Sequence, residues 1–412
     1  MNKVTKNVIW NLAGSLVYYF SQWLMTVIVV RISGDYAEAG ILTLSMSVSM
    51  IFSAVSAYAV RNFQVADIND KFENGTYVAL RLLTCLLSLL LLAVYLVICQ
   101  YSFYSAMSIV CFMLIRITEA LVDVFQGIFQ KQWRMDIVGR SLMVRGTVGL
   151  LVFGIVEYLF GSIAMTCLAT ALSTAAIAVF MDILPCYRMN EIRVRFDRKR
   201  LIGLLLSCTP LFLTSLMISV IPNFPRIIGE KLLGEELIGY YASVTTPAIV
   251  VQLVSMYCFS PLIPMLSKFF SDRDPKILSV VFRIQSLILV VGAAAVTGFL
   301  ILGDWLLALF FGESILPYSY LLIPAVIVSI LTASVYFVCA LFTVVDRNKT
   351  LAAAQSVSVL IILALSWLAL EKWELQGINY ILMAAYSAFL VIGYTIIIKT
   401  VNARNKSDES SL

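Results

Sequence analysis

Met113-Leu-Ile-Arg116-Ile-Thr-Glu119-Ala-Leu-Val-Asp123-Val-Phe-Gln126-Gly127 lies within an apolar run that begins near Phe103. Three charges therefore sit where a membrane helix should carry none. Arg116, Glu119 and Asp123 are spaced i, i+3, i+7, which places them within about 60° on one helical face. At a bilayer centre each would cost roughly 2.5–3.5 kcal/mol on insertion scales. The face must meet protein or water, so the chain has to build an interior around it. The same helix leads through Gln130, Lys131 and Arg134 toward Asp136, Gly139, Arg140 and Ser141, a polar continuation toward a membrane surface.

The surrounding chain has the composition such an interior implies. Its 412 residues are 61% hydrophobic and 13% charged, which fits a polytopic membrane protein and not a soluble one. Met1-Asn-Lys-Val-Thr-Lys6 runs straight into an apolar segment that reads as a first span and not as a cleaved leader. Twelve segments reach the length of about 20 apolar residues that a crossing needs: 9–30, 40–60, 78–99, 103–126, 142–160, 162–183, 203–225, 240–264, 280–302, 318–343, 351–370 and 377–398. The expected fold is all-α, with twelve transmembrane helices in two six-helix lobes around a central cavity. Residues 1–187 form the first lobe, 188–202 a basic cytoplasmic linker, 203–400 the second lobe and 401–412 a disordered cytoplasmic tail.

Basic residues fix the orientation. Of the 29 Lys and Arg, only Arg31, Arg226, Lys231 and Lys372 fall outside the membrane when the N-terminus is inside, and Arg116 lies within a span. The other 24, Arg81 among them, collect on the cytoplasmic side, so both termini are expected there. Prolines gather in the seventh and eighth spans, where Pro210 and Pro247 are expected to kink the helices; Pro264 and Pro317 mark helix ends.

Several chemistries are excluded. The chain has no histidine, hence no histidine-based metal site, proton relay or Ser-His-Asp catalysis. It has no Walker loop, nucleophile elbow or cluster of metal ligands. The eight cysteines are scattered and read as small buried hydrophobes. No enzyme activity, cofactor, metal or nucleic-acid partner is expected.

Glu119 and Asp123 are like charges one turn apart, and Arg116 can neutralise only one of them. Either a second cation from another helix completes the group, with Arg61 at the end of the second span and Arg145 in the first turn of the fifth as candidates, or one acid takes up a proton. Two readings stand: an interhelical ion-pair network, or a charged cavity wall handling an anionic headgroup or a coupling ion. Arginine matches phosphate oxygens with a fixed fork and keeps its charge. Arg31, Arg61, Arg116 and Arg226 lie at different depths, a spacing that would suit a relay for a phosphate-bearing group.

Four stretches resemble the O-antigen and capsule-type polysaccharide flippases, relatives of the multidrug and toxic-compound extrusion transporters. They are Arg61-Asn62-Phe63-Gln64-Val65-Ala66-Asp67, Arg116-Ile-Thr-Glu119-Ala-Leu-Val-Asp123, Gln130 to Ser141, and Asn223-Phe-Pro225-Arg226. The resemblance implies a bacterial cytoplasmic-membrane transporter for cell-surface polysaccharide synthesis. Its cargo would be an undecaprenyl-pyrophosphate-linked oligosaccharide, turned from the inner to the outer leaflet by alternating access. It further implies substrate contacts from Arg31, Arg61, Asn62, Arg116, Arg145, Asn223 and Arg226, and a coupling or cavity network of Glu119 and Asp123. Membrane lipids, H+ or Na+ and polysaccharide polymerase machinery are the implied partners. A cation-coupled drug exporter of the same superfamily would typically carry an acid in the first or seventh span; the first has none, and Glu230 lies beyond the expected end of the seventh. A polymerase or ligase would need a long outer loop, which the spans do not leave.

Overall fold

The computed structural model describes residues 3–67, 70–189, 192–259, 262–274 and 276–409, and the regular structure among them is entirely helical. The chain divides into two compact units, Met1–Asn223 and Phe224–Leu412. The first holds α1 (Lys3–Ser33), α2 (Tyr36–Ala57), α3 (Val60–Ala66), α4 (Asn74–Cys99), α5 (Phe103–Lys131), α6 (Met135–Phe160), α7 (Ile163–Ala178), α8 (Leu184–Met189) and most of α9 (Arg198–Leu233). A π-helical turn, Val179–Ile183, joins α7 to α8. The second unit holds the end of α9, then α10 (Glu235–Thr245), α11 (Ile249–Phe259), α12 (Ile263–Ser271), α13 (Ile277–Phe311), α14 (Leu322–Val344) and α15 (Asn348–Glu409).

Ten helical stretches of the described residues are long and apolar enough to cross a bilayer. α5, with 29 residues, also has the length, about 43 Å. α15 turns back on itself at Glu374, whose φ is 47°. Beyond that turn Ser358 Oγ donates to the Ala385 carbonyl at 2.7 Å, so its two arms lie side by side and cross separately. The crossings thus come to the twelve expected from the apolar runs.

Several boundaries differ from the sequence reading. α6 begins at Met135 and not at 142, so Arg145 lies well inside it instead of in its first turn. α9 begins at Arg198, inside the segment read as a linker, and Leu201, Leu204 and Cys208 join the core of the first unit. α9 also reaches Leu233, which brings Glu230 into the helix. Its helical assignment runs through Pro210, where a kink was expected, whereas Pro247 sits in a 3-10 turn, Thr246–Ala248, that separates α10 from α11. α15 extends to Glu409, through most of the tail read as disordered; residues 410–412 lie outside the described residues.

The first unit is organised by the contact of α1 with α6. A Cβ at Gly14 would stand 2.2 Å from the Gly139 carbonyl oxygen, and one at Gly139 would stand 2.1 Å from that of Trp10. The two backbones touch, as small residues permit where lipid supplies no hydrophobic force between helices. Farther along, the Tyr18 backbone packs on Gly146, which brings Tyr18 beside the α6 face that carries Ser141 and Arg145. Gly139→Val is expected to push the two helices apart and sharply reduce the monodisperse protein recovered from membranes, read by fluorescence-detected size-exclusion chromatography. Gly298→Ala, with no atom near its added Cβ, serves as the tolerated control.

Candidate functional site

The site begins at a break in a helix. α2 ends where Tyr58 and Ala59 adopt φ of 43° and 50°, a left-handed conformation that side chains disfavour. The break strips the last carbonyls of α2 of their intrahelical donors, which the membrane interior cannot replace. Arg81 replaces them. Its Nη1 donates to the Ser56 carbonyl at 2.8 Å and to the Ala57 carbonyl, and Thr84 Oγ1 also donates to Ser56 at 2.8 Å. Arg81 Nη2 donates to Asp123 Oδ2 at 2.9 Å. The residue is 0% exposed.

Arg61 enters from α3, just past the same break. Its Nη1 donates to Asp123 Oδ1 at 3.1 Å and to Gln126 Oε1 at 3.2 Å; its Nε and Nη2 donate to Gln130 Oε1 at 3.3 and 3.0 Å. Asp123 is thus held by two guanidiniums, one on each oxygen. One turn away, Arg116 Nη1 donates to Glu119 Oε2 at 2.5 Å, with its guanidinium 5.1 Å from the centre of the Phe112 ring. The Tyr18 hydroxyl donates to the other oxygen of Glu119.

A second carboxylate arrangement lies beside the first. Arg145, 3% exposed, donates from Nε to Ser141 Oγ at 3.2 Å, and Ser141 donates to Asp182. Gln126 Nε2 donates to Asp182 Oδ1 at 3.5 Å, linking the two arrangements. The Arg145 guanidinium stands 5.9 Å from the Tyr18 ring centre. Asp182 is presented by the π-helical turn, a local widening of the helix often found where a side chain is re-aimed for function. Tyr18, Tyr19, Glu119, Asp123, Gln126 and Arg145 line a cavity of about 200 Å³.

Outside the membrane spans, Asp67 closes the turn that follows α3. It accepts from the Lys71 N–H at 3.0 Å, the Phe72 N–H at 3.2 Å and the Tyr77 hydroxyl at 2.8 Å. Burial pushes its pKa up, but these hydrogen bonds outweigh it and hold the carboxyl below its ordinary value.

Of the residues singled out in the sequence, Arg61, Arg116, Glu119, Asp123 and Arg145 come together. Asn62 sits next to Arg61 but faces outward. Arg31 is exposed at the end of α1, 13 residues from Tyr18 and so about 20 Å along the helix. Asn223 donates to the Ser219 carbonyl of its own helix at 2.8 Å. Arg226 belongs to the second unit, where it stands 5.9 Å from the ring of Tyr241; the Tyr241 hydroxyl donates to Asn379 Oδ1 at 3.0 Å. Of the two ways to balance Glu119 and Asp123, the structure uses added cations: Arg61 as expected, and Arg81, which the sequence reading had counted on the cytoplasmic side. Asp182 was passed over. An arginine at 81 and an acid at 182, each within an apolar run, were the available signals.

The polysaccharide biosynthesis protein family model matches residues 4–270. The chain belongs to this family. Capsular polysaccharide biosynthesis protein CapF of Staphylococcus aureus is 20% identical over 313 residues, covering 75% of this chain and 78% of CapF. Among solved structures, an inward-facing multidrug-resistance MATE family transporter of the MOP superfamily matches 95% of this chain and 98% of its own, with a TM-score of 0.70 at 12% identity. A Vibrio cholerae MATE transporter covers 98% of this chain and 97% of its own, with a TM-score of 0.62 at 13% identity. At these identities the structural likeness speaks for the fold alone, so this family member has the MOP transporter fold.

Arg81 is the stability-critical member of the network. Arg81→Met would strand the Ala57 carbonyl, leave the Ser56 carbonyl to Thr84 alone and remove half of the Asp123 pairing, for which loss of a buried partner typically costs about 3–5 kcal/mol. Thermal denaturation in detergent is expected to show a large drop for Arg81→Met and a smaller one for Arg61→Gln, whose side chain is 23% exposed. Asn62→Ala should stay within about 0.5 kcal/mol of the parent.

Proposed function

We propose that this protein is a membrane transporter of polysaccharide synthesis that turns an undecaprenyl-pyrophosphate-linked oligosaccharide from the inner to the outer leaflet by alternating access. The observation that carries this reading is the charge balance of the network behind the cavity, whose own lining holds Glu119, Asp123 and Arg145. Four guanidiniums, those of Arg61, Arg81, Arg116 and Arg145, converge on three carboxylates, those of Glu119, Asp123 and Asp182. The surplus is cationic and lies where the membrane would otherwise make such charge expensive. A diphosphate offers the acceptors that arginine forks match.

Arg145 is the best-placed ligand. It reaches Asp182 through the Ser141 hydroxyl, and its guanidinium borders the cavity. Arg61 can turn from Asp123 toward an incoming anion because Arg81 keeps its own hold on that carboxylate. Arg116 flanks this centre, and the further cargo contacts that the family resemblance implies are Arg31, Asn62, Asn223 and Arg226. Glu119 and Asp123 set the arginine geometry.

In cells lacking their own exporter of the matching glycan, Arg61→Ala, Arg116→Ala and Arg145→Ala are each expected to lower surface polysaccharide strongly at parental abundance in the membrane. Arg145→Lys should restore export only in part, because an ammonium keeps the charge without the fork. Normal export by all three alanine variants would refute the reading.

A further inference from the structure

Glu157 lies in the last turn of α6, at the end of the helix opposite its cytoplasmic start, and is 0% exposed. Its Oε2 accepts from Thr166 Oγ1 of α7 at 2.8 Å; its Oε1 is buried without a partner. Among the described residues it makes no ion pair. Arg145 is 12 residues back along α6, roughly 18 Å, so the carboxyl is separate from the cavity.

Its direct partner is neutral, and the charged groups on the neighbouring helices are Glu38 and Arg31. From α7 come Thr166 and Cys167. On α5, Cys111 stands beside Cys167 and Tyr104 meets the start of α7. The Tyr104 hydroxyl donates to Glu38 of α2 at 2.9 Å and accepts from the Ile163 N–H at 3.0 Å. From α1 there is the exposed Arg31 at its end.

A bare carboxylate with half its lone pairs unmet is costly in such a setting, whereas the neutral acid is not. Thr166, near the start of α7, donates to the same carboxyl, so the carboxylate keeps one hydrogen bond while its second oxygen has none.

We propose that Glu157 is a proton-binding site at the outer end of the first unit, supplying the coupling ion for the transport reading above, on which this inference rests. Binding of a proton to the carboxylate gives the neutral acid and removes one negative charge from the α6–α7 contact. The change is passed along α6, the helix that also carries Arg145 and Ser141. Cargo and proton thus occupy different places on one rigid element.

Two measurements test this. In pH-difference infrared spectra of the purified protein in lipid, a titrating carboxyl band is expected that Glu157→Gln removes, Glu157→Asp retains at a shifted position and Glu119→Gln leaves in place. In proteoliposomes, flipping of an undecaprenyl-pyrophosphate-linked sugar probe should respond to an imposed proton gradient in the parent and lose that response in Glu157→Gln. Glutamine keeps the acceptor for Thr166, so the fold survives the change. A band unaltered in Glu157→Gln overturns the proposal, as does a gradient response that this variant preserves. If the parent does not flip the probe, the transport reading fails while the infrared result still decides whether Glu157 binds a proton.

Discussion

A bilayer offers no hydrogen bonds to a broken helix, and the interior of the first unit depends on Arg81 supplying them. One guanidinium caps the carbonyls freed by the α2–α3 break and fixes one oxygen of Asp123. The break is what turns Arg61 toward α5, where it takes the other oxygen. Without the buried arginine, the break would be too costly to keep and Arg61 would remain on a continuous helix, aimed elsewhere. Asp123, in turn, gives two like-charged guanidiniums a common partner. Each part of the arrangement makes the next one tolerable.

The same logic extends to the other side of the cavity. α1 reaches α6 closely only because Gly14 and Gly139 let the backbones touch. That approach delivers Tyr18 to both Glu119 and Arg145, so a packing seam without any charge of its own sets the spacing of the charged groups. The π-helical turn does comparable work for Asp182, which meets Ser141 and Gln126 instead of lipid. Arg61, Arg81 and Arg116 each pair directly with a carboxylate, whereas Arg145 reaches Asp182 only through the Ser141 hydroxyl.

The fold is shared with transporters of the MOP superfamily, and a fold of this breadth leaves the cargo to the residues grafted on it. Here those residues are arginines paired with carboxylates at membrane depth, within a chain of the polysaccharide biosynthesis protein family. Glu157 stands apart from them in kind: it is a buried acid with a hydroxyl for a partner and, among the described residues, no paired cation.

The amino-acid sequence by itself determined the class, the number of crossings and the helix on which the charged face lies. These follow from run length, hydropathy and the 3.6-residue period, which are local properties. It also showed that Glu119 and Asp123 need a second cation or a proton. Which cation answers was decided only by the tertiary structure. Arg81 counts as a cytoplasmic-end residue of its span until α4 is seen to start at Asn74, and Arg145 counts as a first-turn residue until α6 is seen to start at Met135. Asp182 needed the π-helical turn, and Arg31 needed its distance along α1. Helix ends in a charged sequence are set by partners on other helices, such as the carbonyls of Ser56 and Ala57, and no local pattern records them.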